Sequence, residues 1–503
     1  MNPLLQRPAA AAGACLLAGA LSTLAFAPFH LPWLAPFPLA AMLWLVAGAA
    51  TGSAAAARGF AFGLGCFLGG VSWVYVSLNV YGAMPAPLAA VATVGFCAYL
   101  ALFPALCFWL LHRVREGAAW LAAFPALWVL TEALRGWLFT GFGWHAIGYS
   151  QAAGASPLAG FAPVGGVLAV SFAVAFTAAG LWYCMPGRTP APAVRARATV
   201  LLAVAATWGS GALLARVEWT TPTGEPIDVA LLQGNIPQDV KWQESRVIET
   251  LDTYWRLVEA GGDARLVVMP ETALPLFSDR LPNDYLARLL DHARARRSDI
   301  LLGLVERSTD GRAYYNSVFS IGTAPVQVYR KQHLVPFGEF VPPLFGWVVR
   351  WLQIPMQDFS RGAPDQRPMD LSGQKVAINI CYEDAFGREI LRQLPEATIL
   401  VNVSNTAWFG RSLAQPQHLQ IARMRALETG RPMLRATNTG MTAVIDPRGR
   451  VIAVADPFSE GVLRSRVQGH SGATPFVRTG EGLVLALALL LAAVPLARTR
   501  RTR

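Results

Sequence analysis

Lysine is almost missing from this chain, and charged side chains of any kind are scarce. Only three lysines occur, Lys241, Lys331 and Lys375, against 39 arginines. Charged residues make up 15% of the 503 residues, whereas hydrophobic residues make up 54%. A chain with so little charge is too apolar for an ordinary water-soluble protein. The composition therefore predicts a membrane protein.

An excess of positive charge is also missing from the central part of the chain. Residues 217–481 hold 29 basic and 29 acidic residues, whereas the rest of the chain holds 13 basic and 2 acidic residues, which accounts for the net charge of +11. A domain that binds nucleic acid usually carries a basic patch of its own. We therefore expect no nucleic-acid partner.

Apolar runs, by contrast, are abundant. A helix needs about 20 apolar residues to cross a bilayer, and eight runs approach this length, at 9–28, 31–50, 59–79, 86–111, 118–139, 159–184, 198–215 and 482–497. The sequence thus predicts a seven-span transmembrane bundle over 1–216, one extramembrane domain over 217–480, and a closing transmembrane helix with a basic tail over 481–503. Ala25-Phe26-Ala27 also has the form of a signal-peptide cleavage site, and cleavage there would leave seven spans.

The arginines predict the orientation of the chain in the membrane. Every second predicted span is followed by basic residues, namely Arg58, Arg113, Arg115, Arg188, Arg195, Arg197, Arg498, Arg500, Arg501 and Arg503. Short loops rich in arginine stay in the cytoplasm. Both termini are therefore predicted to be cytoplasmic, and the domain over 217–480 is predicted to face outward.

Cysteine is absent from the predicted outer domain except at one position. Cys381 has no second cysteine in 217–480 with which to form a disulfide. A free cysteine is often only a small buried hydrophobe. The run from Val376 to Ile380, however, predicts a buried strand that ends at Cys381, and α/β sheets present their chemistry at the C-terminal ends of strands. A nucleophilic thiol is the alternative interpretation.

Two further predicted strands end in the groups that such a thiol needs. A thiol requires a base to become a thiolate, and attack on a carbonyl produces an oxyanion that requires stabilisation. The run LVVMPE ends in Glu271, and the alternating run VQVYRK ends in Lys331. Each charge alone is compatible with an ordinary turn or an edge strand. Three such residues at three strand ends indicate a catalytic site.

Several motifs resemble those of a known superfamily. PETALP (270–275), YRKQHLVPFGEFVP (329–342) and NICYED (379–384) are similar to the Glu, Lys and Cys motifs of the nitrilase superfamily. With WLFTGFGW (137–144) and the eight-span layout, the chain resembles the apolipoprotein N-acyltransferase family of the bacterial inner membrane over nearly its whole length. The resemblance implies that a nitrilase-like αββα sandwich occupies 217–480, on the periplasmic side.

The resemblance also implies roles for individual residues. Glu271 would be the general base, Lys331 the oxyanion stabiliser and Cys381 the nucleophile. Glu339 would orient Lys331, Glu383 would support the nucleophile strand, and the backbone N–H of Tyr382 would be a second oxyanion donor. Four further residues of the family's motifs are expected to support the site or contact the substrate: Trp242, Trp144, Asn402 and Ser404. Thr406 departs from the pattern, because the family is expected to place Asp there, and this weakens any role for a carboxylate at that position.

The implied reaction has two steps. Cys381 would take an acyl chain from a phospholipid, typically phosphatidylethanolamine, as a thioester, and the N-terminal amine of a diacylglyceryl-cysteine on an apolipoprotein would then accept it. No metal and no organic cofactor is expected, because the seven histidines are scattered.

Two features of the sequence relate the site to the membrane. The stretch LFGWVVRWLQIPM (344–356), with Trp347 and Trp351, predicts an arm that touches the bilayer, or alternatively a core helix of the sandwich. Glu132 and Arg135 form an i,i+3 pair inside the fifth predicted span, either near a lipid head group or as a structural ion pair.

Two other functions remain open at this point. A membrane-tethered amidase or nitrilase that uses water as acceptor would need the same triad, although eight spans exceed what a tether requires. A transporter or scaffold with an inactive outer domain is the other alternative, and the spans lack the paired broken helices and inverted repeat that transporters often show.

Overall fold

The chain folds into two compact units. The computed structural model describes residues 7–153, 156–186, 191–342, 346 and 359–501. One unit, called the helical unit here, consists of Met1–Glu218, Ser412–Met424 and Arg478–Arg503. The other, called the sheet unit, consists of Trp219–Arg411 and Arg425–Val477.

Apolar helices dominate the helical unit. The longer helices of the chain are α1 (Pro8–Ser22), α2 (Pro36–Ala47), α3 (Gly52–Val71), α4 (Ala86–His112), α5 (Trp120–Arg135), α6 (Ala162–Cys184), α7 (Val194–Leu214), α8 (Val247–Ala260), α9 (Asn283–Ala295), α10 (Ala414–Thr429) and α11 (Gly482–Arg501). Among the described residues, five helical segments are long and apolar enough to cross a membrane: Pro8–Ala25, Gly52–Val71, Ala86–His112, Pro157–Cys184 and Val194–Leu214.

The predicted number of eight spans is therefore not confirmed by helix length alone. Pro32–Ala47 and Gly482–Ala497 are apolar but shorter. The run at 118–139 forms a helix of only 16 residues, α5, which ends at Arg135. This helix is shorter than the roughly 20 residues that a full bilayer crossing requires.

Glycines bring two of the apolar helices close together. A Cβ atom at Gly19 of α1 would overlap the carbonyl oxygen of Phe62, and one at Gly65 of α3 would overlap that of Leu16. Apolar helices gain little from mutual burial in a lipid environment, so close backbone packing through small residues contributes much of their association. A larger side chain at either glycine would push α1 and α3 apart.

In the described part of the sheet unit, most strands belong to two six-stranded sheets. The strands are β1 (Thr221–Pro222), β2 (Ile227–Gln233), β3 (Leu266–Val268), β4 (Asp299–Arg307), β5 (Tyr314–Gly322), β6 (Gln327–Arg330), β7 (Met369–Leu371), β8 (Gln374–Ile380), β9 (Ile399–Ser404), β10 (Met433–Thr437), β11 (Ala443–Ile445), β12 (Val451–Val454), β13 (Gly461–Val467) and β14 (His470–Ser471). The first sheet has the order β13-β2-β3-β4-β5-β6 and the second β12-β11-β10-β9-β8-β7, while β1 and β14 pair separately.

The two large sheets pack face to face. Alternate residues of a strand point to opposite faces, and Val229 and Leu231 of β2 share one buried core with Ile378 and Ile380 of β8. The opposite face of the first sheet, with Leu232 of β2, packs against α8 and α9. This α-β-β arrangement agrees with the nitrilase-like sandwich expected for this part of the chain.

Candidate active site

The predicted strands form, and their ends carry the predicted residues. Strand β8 ends at Ile380, so Cys381 follows it directly. Strand β3 is parallel to β4, while β5 is antiparallel to both β4 and β6. Strands β3 and β6 therefore run in the same direction, and Glu271 and Lys331 both follow the same edge of the first sheet.

A buried lysine joins two carboxylates at this edge. The Lys331 Nζ atom lies 3.2 Å from Glu271 Oε1 and 2.8 Å from Glu339 Oε1. The lysine side chain is 1% exposed, and the two glutamates are 8% and 13% exposed. Charge-assisted hydrogen bonds of this kind, shielded from water, hold the three groups in one geometry. The structure thus brings Glu271, Lys331 and Glu339 together as the sequence predicted.

Two asparagines complete the hydrogen bonding of Glu271. The Asn316 Nδ2 atom donates to Glu271 Oε1 at 2.7 Å and to Glu339 Oε1 at 3.0 Å. The backbone N–H of Asn405 donates to Glu271 Oε2 at 2.7 Å. Sequence reasoning missed Asn316, which lies in β5 opposite the end of β6, where its carbonyl accepts the N–H of Lys331. Only the register between these strands reveals its position.

The contacts of this cluster keep its two main groups charged. Burial alone would raise the pKa of Glu271, but the ammonium of Lys331 and the hydrogen bonds from Asn405 and Asn316 outweigh burial and lower it. Burial alone would lower the pKa of Lys331, but Glu271 and Glu339 raise it well above its usual range. Glu271 is therefore an ionised acceptor, and Lys331 a permanent cation.

Cys381 occupies a strained turn between a strand and a short helix. Its φ is +54°, in the left-handed region that residues with a side chain rarely adopt, and it begins the short helix Cys381–Ala385. Burial and the charge of Glu271 raise the pKa of the Cys381 thiol, and Lys331 opposes them. The resting thiol is therefore protonated, so any attack by its sulfur would require a base to remove the proton.

Asn402 and Ser404 are fully buried, and Asn402 contacts the backbone of Cys381. The Asn402 Nδ2 atom donates to the carbonyl oxygen of Cys381 at 3.1 Å, and its Oδ1 accepts from Ser404 Oγ at 2.7 Å and from Arg435 Nη1 at 2.7 Å. Arg435 also pairs with Asp384 at 3.1 Å. Through these contacts, Asn402 holds the backbone of the strained turn at Cys381, and Ser404 and Arg435 hold Asn402.

Glu383 accepts four hydrogen bonds, one from the end of β8 and three from Tyr329, Gln332 and His333. Its Oε2 accepts from the N–H of Ile380 at 2.6 Å and the hydroxyl of Tyr329 at 3.0 Å, and its Oε1 accepts from the N–H groups of Gln332 and His333 at 2.6 and 3.1 Å. Glu383 therefore ties the end of β8 to the segment after Lys331. Burial raises the pKa of Glu383 to about 7, although the backbone donors oppose this rise.

The predicted aromatic residues lie in different surroundings. Trp242 of the sheet unit is 52% exposed, and the Lys241 ammonium lies 6.0 Å from its ring. Tyr382 packs its ring edge-on against Phe386, 5.0 Å between centroids. Trp144 belongs to the helical unit and is 1% exposed, with its Nε1 atom donating to Gln417 Oε1 at 2.8 Å. The predicted arm at 344–356 lies outside the described residues, apart from Gly346.

Comparisons with known proteins give the following matches. A family described as apolipoprotein N-acyltransferase N-terminal domain matches residues 18–180, and one described as carbon-nitrogen hydrolase matches residues 228–475. The apolipoprotein N-acyltransferase of Nitrosomonas europaea is 51% identical over 477 residues, which cover 94% of each chain. That of Chromobacterium violaceum is 47% identical over 489 residues, 95% of this chain and 93% of the relative. A solved structure of Saccharomyces cerevisiae Nit3, of the nitrilase superfamily, matches 49% of this chain and 93% of its own at 18% identity, with a TM-score of 0.38.

These matches first define a class. The chain is a membrane-bound acyltransferase with a carbon-nitrogen hydrolase domain and several apolar helices. Because relatives of 47% identity or more cover nearly its full length, the chain belongs to the apolipoprotein N-acyltransferase family. Its acceptor substrates are lipoproteins, and the protein is associated with a membrane.

Proposed function

We propose that Cys381 receives an acyl chain from a phospholipid, such as phosphatidylethanolamine, and passes it to the N-terminal amine of a diacylglyceryl-cysteine on the acceptor lipoprotein. The observation that carries this proposal is the buried chain of hydrogen bonds from Glu271 through Lys331 to Glu339, at the edge where strands β3 and β6 end. Its charges act on the Cys381 thiol. These are the groups that nucleophilic acyl transfer requires.

The first half-reaction forms the thioester. Glu271 takes the proton of the Cys381 thiol while the sulfur attacks the ester carbonyl carbon of the phospholipid. Lys331 stabilises the resulting oxyanion, and the backbone N–H of Tyr382 serves as a second donor. Collapse breaks the ester C–O bond, and Glu271 returns its proton to the leaving oxygen of the lysophospholipid.

The second half-reaction forms the amide. The acceptor amine attacks the thioester carbonyl carbon, and Glu271 takes the proton that the nitrogen loses. Lys331 again stabilises the oxyanion, the C–S bond breaks, and the thiolate regains a proton from Glu271. Glu339 and Asn316 orient Lys331 and Glu271, while Glu383, Asn402 and Ser404 hold the turn of Cys381. Trp242 and Trp144 are proposed to support substrate binding.

The proposed setting is the bacterial inner membrane. Eight spans, formed by the five long helices together with α2, α5 and α11, would place both termini in the cytoplasm and residues 217–480 in the periplasm. The alternation of arginine-rich loops supports this orientation. Residues 1–216 and 481–503 would then form the membrane part, as the sequence predicts.

Intact-protein mass spectrometry tests the chemistry. Wild type and Cys381→Ala are incubated with phosphatidylethanolamine vesicles and no acceptor, and a diacylglyceryl-cysteinyl peptide is added afterwards. We expect one added acyl chain on the wild type alone, and its transfer to the peptide. An unmodified wild type that is shown to be folded would contradict the thioester. Release of the chain as free fatty acid without acceptor would favour the amidase-like use of water.

Thiol labelling of intact cells and of lysed cells tests the orientation. Asp310 lies in an exposed turn of the sheet unit, and Arg195 is exposed at the start of α7. A membrane-impermeant maleimide is expected to label Asp310→Cys in cells with a permeabilised outer membrane, and Arg195→Cys only after lysis. The reverse pattern would overturn the proposed orientation.

A further inference from the structure

Lys241 is a second buried lysine at this site. It is 2% exposed, and its Nζ atom donates to Thr272 Oγ1 at 2.8 Å and to the carbonyl oxygen of Glu271 at 3.4 Å. Thr272 has φ +44°, which is costly for a β-branched residue. The ammonium therefore holds the strained turn that carries the general base.

The use of lysine in this chain is selective. Two of the three lysines, Lys241 and Lys331, are buried at the site, whereas Lys375 is exposed and pairs with Asp370 at 3.0 Å. Arginine is the default cation elsewhere in the chain. A lysine ammonium is compact and can approach a carbonyl and a hydroxyl at once, whereas a guanidinium is larger and planar. The geometry of the site thus explains why positions 241 and 331 carry lysine and not arginine, whereas nothing comparable applies to the exposed Lys375.

Lys241 also changes the net charge of the buried site. Glu271, Glu339 and Lys331 together carry one net negative charge, and Lys241 brings the total to zero. When the Cys381 proton passes to Glu271 this total stays at zero, whereas without Lys241 the thiolate would form in a site that already carries one net negative charge. An additional uncompensated charge in a buried site is costly. The second ammonium therefore makes removal of the thiol proton easier.

Lys241 is charged at neutral pH but close to its titration. Burial lowers its pKa to about 8, while Glu271 and Cys381, the charged or titratable groups that act on it, raise the pKa. The ammonium form is thus present below about pH 8 and is lost above it. This titration gives the charge a signature that a purely packing role would not show.

We propose that Lys241 is a positioning residue that holds the Glu271 turn and balances the buried charge, so that Cys381 can lose its proton as the thioester forms. The inference rests on the proposed function of Glu271 and Cys381. It adds a second cation to the site. Lys241 directly precedes the half-exposed Trp242, and its backbone N–H donates to the carbonyl oxygen of Pro237 at 3.1 Å. The contact of the Lys241 ammonium with Thr272 therefore also anchors the loop that carries Trp242.

Three variants separate charge from hydrogen bonding. Lys241→Met removes both the charge and the donor, Lys241→Gln keeps a donor for Thr272 but removes the charge, and Lys375→Met removes an exposed lysine as a matched control. Rates of acyl-enzyme formation from phosphatidylethanolamine vesicles are measured by intact mass between pH 6 and 9.5. Thermal unfolding of each variant establishes that it is folded, and if Lys241→Met fails to fold, Lys241→Gln decides.

We expect the rate ratio between wild type and Lys241→Gln to be at least about tenfold at pH 7 and to fall toward one as the pH rises through about 8. Lys375→Met should match the wild type throughout. A ratio that does not change with pH would overturn the charge-balancing role, and a ratio of one at every pH would overturn the inference as a whole.

Alkylation of Cys381 by iodoacetamide separates this inference from the proposed function. The rate for Cys381 is obtained by subtracting that of Cys381→Ala, and it does not depend on acyl transfer. In Lys241→Gln, we expect alkylation to be slower than in the wild type at pH 7, and the difference to disappear as the pH rises through about 8, where Lys241 loses its charge. A wild type that forms no acyl-enzyme would refute the proposed function alone. Identical alkylation profiles would refute the effect of Lys241 on Cys381.

Discussion

Each unit of this protein buries acidic and basic side chains, Glu132 and Arg135 in the helical unit and Glu271 and Lys331 in the sheet unit, and the two sets have different hydrogen-bond partners. In the helical unit, Arg135 Nη1 donates to the carbonyl oxygens of Phe142 and Trp144 at 2.7 and 2.6 Å. Glu132 Oε1 accepts from the N–H of Ile147 at 2.8 Å. The pair therefore fastens the backbone of the loop that follows α5.

In the sheet unit, the bonds of the cation run to side chains. Lys331 donates to Glu271 and Glu339, whose second oxygens each accept from one backbone N–H, that of Asn405 and that of Val335. The charges are thus fixed in place but remain directed at Cys381, whose pKa they shift. The comparison shows that burial of a charged pair does not define its role. The atoms that receive its hydrogen bonds do.

The largest expected effect is on Glu271. Replacement by Gln keeps the size of the side chain but removes the proposed base, so acyl-enzyme formation should fall by about a thousandfold. The measurement is the single-turnover rate by intact mass, with thermal unfolding as the control for folding. A variant that retains more than a tenth of the rate would show that another group removes the thiol proton.

Lys331→Arg should have the next largest effect. The lysine side chain is 1% exposed between two carboxylates, and a guanidinium is larger and directs its donors differently. We expect the rate of acyl-enzyme formation to fall about a hundredfold. Lys375→Arg, at an exposed position, is the matched control and should leave the rate unchanged. Equal rates for both variants would show that charge alone suffices at position 331.

Glu132→Ala tests the structural side of the comparison. The change leaves the N–H of Ile147 and the indole N–H of Trp128 without their acceptor, at about 1–3 kcal/mol for each buried donor. The thermal midpoint of the detergent-solubilised protein should fall by several degrees. Acyl-enzyme formation by the folded protein should stay within about threefold of wild type. A variant that is as stable as the wild type but forms no acyl-enzyme would contradict the structural role of Glu132.

Glu383 sharpens the comparison, because it bonds mainly to backbone N–H groups but lies in the sheet unit. Its pKa is about 7 in the folded protein, against an ordinary value of 4.5. The folded state therefore keeps this proton to higher pH than the unfolded state, and the stabilisation is full below about pH 4.5 and is lost as the pH rises through 7.

Glu383→Gln removes this titration. Thermal unfolding between pH 5 and pH 8 should show a midpoint that falls by a few degrees in the wild type and by less in the variant. The variant should also be less stable than the wild type at pH 8, since an amide cannot accept all four hydrogen bonds. Parallel curves for the two proteins would show that Glu383 does not titrate in this range.

The sequence predicted the residues that follow strands but not those that depend on register. Glu271, Lys331 and Cys381 each follow an apolar run, and such runs identify strands without knowledge of their partners. Asn316 reaches Glu271 only because β5 pairs antiparallel with β6, and Lys241 does so only because its loop folds onto Thr272. Pairing and loop closure are tertiary effects that a local pattern does not encode.

The number of spans shows a similar limit. Apolar content marks 118–139 as a span, but the helix ends at Arg135, where the arginine turns to the carbonyl oxygens of the following loop. Hydropathy averages over such a loop and does not detect where the helix stops. The prediction of several apolar helices is confirmed, whereas the count of eight remains a proposal.

The assignment of Ser412–Met424 to the helical unit has a practical consequence for protein production. In that unit, Gln417 Oε1 accepts from the indole N–H groups of Trp73 and Trp144, and Gln420 Oε1 accepts from the N–H of Ala27. A soluble fragment cut at Trp219 and Val477 would contain this segment but none of these donors. Since the chain contributes to the two units in alternation, no continuous stretch of sequence contains one whole unit without part of the other.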